Sequence, residues 1–135
     1  MRRILVAALV LLLSSCSTTG KPKKILQETL MSYASTVRWS GFEQALAFMD
    51  PDELKAHPPS KLDLERFRQV RVSFYHDQPA QDVSETEVVQ IVEIGIVNEH
   101  SQSERSVIDR QRWRWDEPNK KWLLMSGLPD ITREQ

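Results

Sequence analysis

Two hydrophobic periods follow one another along the chain. From Lys23 to Arg38, the residues Leu26, Leu30, Tyr33 and Val37 recur at helical spacing with Ala34 beside them, which predicts an amphipathic helix. A second helix is expected from Ser40, a capping residue with Glu43 at the matching third position. Phe42, Ala45, Leu46 and Met49 form its apolar face. Asp50-Pro51 ends it, because the residue before a proline is pushed out of helix geometry. Asp52 to Ser60 contains Pro58-Pro59 and reads as an irregular link with room for one helical turn around Leu54. Lys61 to Arg66 suits either a short helix or the entry to a sheet.

From Phe67 the period changes to two. Val70, Val72, Phe74 and His76 are expected on one face of a strand, with Arg71, Ser73 and Tyr75 on the other. Asp77 to Ser84 reads as a polar loop. Thr86 to Val97 is a long strand, apolar on both faces, which suggests a central position covered on both sides for part of its length. After the turn-rich Asn98 to Ser103 comes a strand from Glu104 to Asp116. It places Val107, Asp109, Gln111, Trp113 and Trp115 on one face and Ile108, Arg110, Arg112 and Arg114 on the other. A tight turn at Glu117-Pro118-Asn119-Lys120 leads to a last strand, Lys121 to Ser126. Gly127-Leu128-Pro129 closes the domain, and the tail is expected to fray. The predicted fold is α+β, one domain over 23–135, with two N-terminal helices packed on a curved antiparallel sheet of about four strands.

The first residues follow neither period. Met1-Arg2-Arg3 is a basic head, and Ile4 to Leu13 is apolar throughout. As a helix that run covers about 15 Å, half the hydrocarbon core of a bilayer, so a signal peptide over residues 1–15 is expected rather than a permanent span. Leu13-Ser14-Ser15-Cys16 resembles the lipobox of bacterial lipoproteins. The resemblance implies diacylglyceryl transfer to the Cys16 thiol, cleavage before it and acylation of the new amine, with the thiolate as nucleophile. Cys16 is the sole cysteine, so no internal disulfide is available to the chain. Acyl chains contribute about 0.8 kcal/mol per buried methylene, and more than one chain anchors stably. Residues 16–22 form the lipidated cysteine and its polar tether. In Gram-negative lipoproteins an Asp after the cysteine favours the inner membrane. Ser17 stands there, so an outer-membrane, periplasm-facing location is expected.

The charge balance, 18 basic against 19 acidic side chains, lacks the basic excess of a nucleic-acid binder. The order of elements resembles the nuclear-transport-factor-2-like superfamily, the cone-shaped cystatin-like α+β fold. The residues that carry this are Asp109-Arg110-Gln111-Arg112-Trp113-Arg114-Trp115-Asp116, followed by Lys121-Trp122-Leu123-Leu124 and Ser126-Gly127-Leu128-Pro129. They look like the closing hairpin of many small lipoproteins of that superfamily. The resemblance implies a fold and export, and homodimerisation through the sheet face, but no particular reaction.

Candidate chemistry is sparse. His57, His76 and His100 are widely spaced without a HxH or HExxH pattern, so neither a metal nor another cofactor is expected. No GxSxG elbow occurs. Superfamily members that isomerise substrates use an Asp base with a Tyr or acid donor in the cone. Asp109, His76 and Tyr33, with Gln111 and Trp113, are the candidate cone-cavity residues, since a carboxyl in apolar surroundings exchanges protons nearer neutral pH. Such a role requires an open cavity of about 300 Å³ or more. The Arg110, Arg112, Arg114 stripe, with about 7 Å between successive members, is a candidate site for an anionic head group or partner carboxylate. Its alternative is a solvated face paired with Glu87 or Glu93. The expectation is a membrane-anchored, non-catalytic envelope protein that binds or assists a partner through the sheet face. The alternative is a small-ligand-binding or acid/base cone.

Overall fold

A computed structural model describes residues 20–133 of the chain. Cys16 and the signal segment lie outside the described residues. The fold is α+β: helices pack against a strongly curled antiparallel sheet, consistent with a cone. None of the described helices is long and apolar enough to cross a membrane.

Helix α1 spans Gly20–Trp39 and buries Leu26, Leu30, Tyr33 and Val37 along the predicted stripe. It begins earlier than the periodicity indicated, so Gly20, Lys21 and Pro22, expected in a tether, are helical. It ends where Ser40 and Gly41 both donate backbone N–H groups to the carbonyl of Thr36. Gly41 then adopts φ 106°, a left-handed conformation that costs a glycine little, and serves as N-cap of α2, Phe42–Ala45. The expected Ser40–Glu43 capping box is therefore absent. Glu43 instead accepts two hydrogen bonds from Arg68, at 3.0 and 2.9 Å. A 3-10 turn at Leu46–Phe48 continues α2.

Asp50-Pro51 stops one helix and starts another. The Asp50 carboxylate accepts from the Glu53 N–H at 3.1 Å, and Pro51 occupies the first helical position of α3, Pro51–Ala56, where its missing N–H costs nothing. Helix α4, Lys61–Arg68, resolves the ambiguity of that segment. It carries a capping box in which Ser60 and Asp63 bond each other's backbone N–H groups at 3.1 Å.

Strands β1 (Val70–Asp77), β3 (Glu87–Asn98), β4 (Glu104–Asp116) and β5 (Lys121–Leu124) lie in the order β1-β3-β4-β5, all antiparallel. A two-residue strand β2, Gln81–Asp82, pairs with Val88–Val89 of β3, inside the segment expected to be loop. Strand β3 is central, as its two-faced apolar run predicted. The chain past Leu124 leaves regular pairing, although Met125 still donates to the carbonyl of Arg112 at 2.8 Å.

A bulge between Val72 and Phe74 breaks the expected alternation of β1. One extra residue reverses the faces beyond it. Val70, Val72 and Tyr75 pack on the core, while Phe74 and His76 stack together on the outer face with ring centroids 4.6 Å apart. Phe74 lies against Gly95, its partner on β3; a Cβ built there would come within 2.3 Å of the ring. The glycine is thus required by close approach.

The core joins the α1 stripe, Phe42 and Ala45 of α2, Phe67 of α4 and the inner face of the sheet. Each large apolar side chain so buried contributes about 1.5–3 kcal/mol. The C-terminal segment does not fray across its described length. Ile131 is 4% exposed and belongs to the core. Burial of an apolar side chain holds backbone that position in the sequence alone would leave loose.

Candidate functional site

The inner face of β4 carries the polar residues that the sequence singled out. Asp109 and Gln111 are both buried, flanked along the strand by Val107 and Trp113. Gln111 is the hub. Its Nε2 donates to Asp109 Oδ2 at 2.8 Å and to Tyr75 Oη at 2.9 Å, and its Oε1 accepts from Trp113 Nε1 at 3.2 Å. One amide therefore bonds the buried Asp109 and Trp113 and the half-buried Tyr75, and such shared bonding lowers the cost of burying polar groups.

Tyr33 reaches this cluster from α1. Its ring meets Trp113 edge to face at 5.2 Å and Phe48 at 5.4 Å. Its hydroxyl is buried without a hydrogen-bond partner. Burial, and then the nearby Asp109 carboxylate, push the Tyr33 phenol well above its ordinary pKa. Burial also raises the Tyr75 phenol, partly opposed by its hydrogen bond to Gln111. Burial pushes the Asp109 carboxyl up to about 6, and the Gln111 hydrogen bond pulls it back.

A carboxyl near 6 has the proton affinity of a general acid or base. Its setting gives a substrate little room. Tyr33, Gln111 and Trp113 have no exposed surface, and Asp109 is 5% exposed. None of the three recesses described below is lined by Asp109. Of the five candidate cone residues, Tyr33, Asp109, Gln111 and Trp113 come together. His76 does not: the bulge turns it outward. Tyr75 takes its place, a residue the strict alternation assigned to the opposite face.

The outer stripe is exposed as expected, but its partners differ. Arg110 lies opposite Ile91, Arg112 opposite Val89 and Arg114 opposite Glu87. The Arg114 guanidinium bonds the buried Asp50 carboxylate at 3.3 Å instead of its cross-strand neighbour. Glu93 faces Ile108 across the pair. Arg110 and Arg112 thus stand between half-buried aliphatic side chains and form no ion pair among the described residues.

Open space lies outside the cone. A groove of ≈ 450 Å³ runs between the link around Pro58-Pro59, α4 and the C-terminal segment, floored by Leu46, Met49, Phe67, Leu128 and Ile131. A recess of ≈ 190 Å³ adjoins it, bounded by Arg66, Gln69, Asn98 and Arg105. On the other side, Met31 and Trp39 of α1 are exposed beside Tyr75 and Asp77 around a shallow recess of ≈ 240 Å³. Arg105 was not among the sequence candidates. The signal was present, because 105 shares the parity of 107, 109, 111 and 113 and so continues the inner face by one step. Among the described residues, no cluster of three or more His, Cys, Asp and Glu side chains is arranged to hold a metal ion.

No family model, curated protein or solved structure matches the chain.

Proposed function

We propose that this is a lipid-anchored envelope protein, tethered through Cys16 and facing the periplasm from the outer membrane. Its domain is of the nuclear-transport-factor-2-like type and serves a non-catalytic binding or accessory role. Leu13-Ser14-Ser15-Cys16, placed directly after ten apolar residues, supports the anchor, and Ser17 supports the outer-membrane address. The observation that carries the non-catalytic reading is the hub at Gln111. Asp109, Tyr75 and Trp113 all bond to Gln111 within the packed interior, while open volume lies at the surface. Arg110 and Arg112, set among half-buried aliphatics on the outer sheet face, support that face as the surface for an envelope partner or a second copy.

The anchor is tested with Cys16→Ala in the full chain. The expected result is an uncleaved precursor that takes up no fatty-acid probe; labelling equal to the native protein overturns it. The partner surface is tested with an Arg110→Glu, Arg112→Glu pair. Sedimentation of native and variant protein should show loss of self-association or of a co-purifying partner in the variant. Unchanged assembly at native stability rejects the sheet face.

The alternative, an acid/base cone, is favoured by one observation: the Asp109 carboxyl sits near 6. It requires that Tyr33 and Trp113 move aside. Amide exchange at Trp113 Nε1 as fast as that of an exposed indole would support such opening, and strong protection would reject it.

A further inference from the structure

The inner face of β4 begins on a charge that no carboxylate meets. Arg105 stands at that end, and its Nη2 donates to the carbonyl of Ile131. Its Nη1 is buried without a hydrogen-bond partner. The acidic groups nearby are already held. Asp63 accepts from Ser60 and pairs with Arg66 at 3.5 Å; Asp130 accepts from Thr132 and pairs with Arg133 at 3.2 Å. Arg105 forms no ion pair among the described residues. A buried guanidinium N–H without an acceptor is costly, and an unbalanced charge beside it adds to the cost.

Around this group the surface is open. Arg105 and Arg66 line one recess with Gln69 and Asn98. Asn98 Oδ1 accepts from the His100 and Ser101 N–H groups, which leaves its Nδ2 as the donating end of the amide. The recess and the apolar groove share Arg66, Ile131 and Thr132, so the two spaces adjoin along the C-terminal segment. Two guanidiniums line the recess, Arg105 with its unpartnered Nη1 and Arg66 with the donors beyond the one turned to Asp63, and such groups match an oxyanion. The groove is large enough to bury the body of a small ligand, whose pockets span about 300–1,000 Å³.

We propose that this surface binds a small amphiphilic anion, its carboxylate or phosphate monoester at Arg105 and Arg66 and its apolar part along Leu46, Met49, Phe67 and Leu128. The proposal deepens the binding role above and rests on it.

The test uses purified full chain in a non-ionic detergent, as native protein, Arg105→Met and Arg66→Gln. Binding is read by nuclear magnetic resonance titration at the Thr132 amide with acetate, hexanoate, hexanol and hexyl phosphate. Native protein should bind hexanoate or hexyl phosphate at least about tenfold more tightly than acetate or hexanol. The better of the two identifies the head group. Arg105→Met should lose about tenfold or more in affinity for the anion while hexanol binding holds, and Arg66→Gln about threefold. Equal binding of hexanol and hexanoate overturns the proposal. So does native affinity in Arg66→Gln together with native affinity in a folded Arg105→Met. If Arg105→Met does not fold, Arg66→Gln decides alone. Repeating the titration on Cys16→Ala separates this result from the anchoring proposal. A probe that is chemically consumed would instead reject the non-catalytic role and leave the anion site standing.

Discussion

Two stretches of one strand face meet burial in opposite ways. In the middle of β4, Asp109, Gln111 and Trp113 share one another's hydrogen bonds, with the Tyr33 and Phe48 rings packed against Trp113. At its start, Arg105 is left with a buried N–H unsatisfied and a recess open beside it. The backbone geometry is the same, and what differs is what lies across. α1 supplies an aromatic cover for the middle, whereas the start meets only the backbone carbonyl of Ile131. Buried polarity is therefore a poor guide to a binding site by itself. Both halves hold one unpartnered polar atom, the Tyr33 hydroxyl and Arg105 Nη1, but only Arg105 lines a recess, so unpartnered polarity beside open space is the better guide.

The largest expected effect comes from breaking the closed half. Trp113→Ala removes the ring that packs against Tyr33 and should cost about 3–5 kcal/mol in denaturant unfolding. A loss below about 1 kcal/mol would show that the middle is not closed. Gln111→Leu is next. It leaves Asp109, Tyr75 and Trp113 without their shared partner and should cost about 3 kcal/mol, most of it from the stranded carboxylate.

The third test is a pH dependence. Burial holds the Asp109 carboxyl near 6 when folded, against its ordinary value of 3.8. Between these values the folded chain binds the proton more tightly, so folding takes one up and stability falls as pH rises. From this group alone the protein should lose about 2 kcal/mol between roughly pH 4 and pH 7. Asp109→Asn should flatten that slope; an unchanged slope assigns it to other groups. The smallest effect sharpens the open half. Arg105→Met should change ligand-free stability by about 0.5 kcal/mol or less, since it exchanges an unsatisfied donor for an apolar chain. A loss above about 2 kcal/mol would make Arg105 a structural clamp on Ile131.

Strand β4 was legible in the sequence, with both faces correct from Val107 to Trp115, because the arginines at 110, 112 and 114 alternate with Gln111, Trp113 and Trp115 and leave one solution. The stripe of α1 was equally plain. The bulge in β1 was not. Nothing in Val70 to Asp77 marks an extra residue, and the fit of Phe74 over Gly95 becomes visible only when β1 and β3 are paired. That long-range fact moved His76 out of the cluster and Tyr75 in. Asp50-Pro51 ends one helical run as expected, and the turn foreseen around Leu54 is the short helix α3 that the same two residues begin. The buried Ile131 lay beyond any period, and so did the groove it helps to form.

The carbonyl of Pro22, in the first turns of α1, accepts a hydrogen bond at 2.8 Å from Trp122 Nε1 in β5, a hundred positions later. The first described helix is therefore completed by the last strand. The β3–β4 ladder joins neighbours in the chain and can zip early, and α2 and β1 can cover part of the α1 stripe, but its packing is complete only when the closing hairpin arrives. Closure of so long a loop makes docking of α1 the late and slow step. Assembly can finish only after the whole domain has been synthesised, which exposes the partly folded chain to aggregation in the interval.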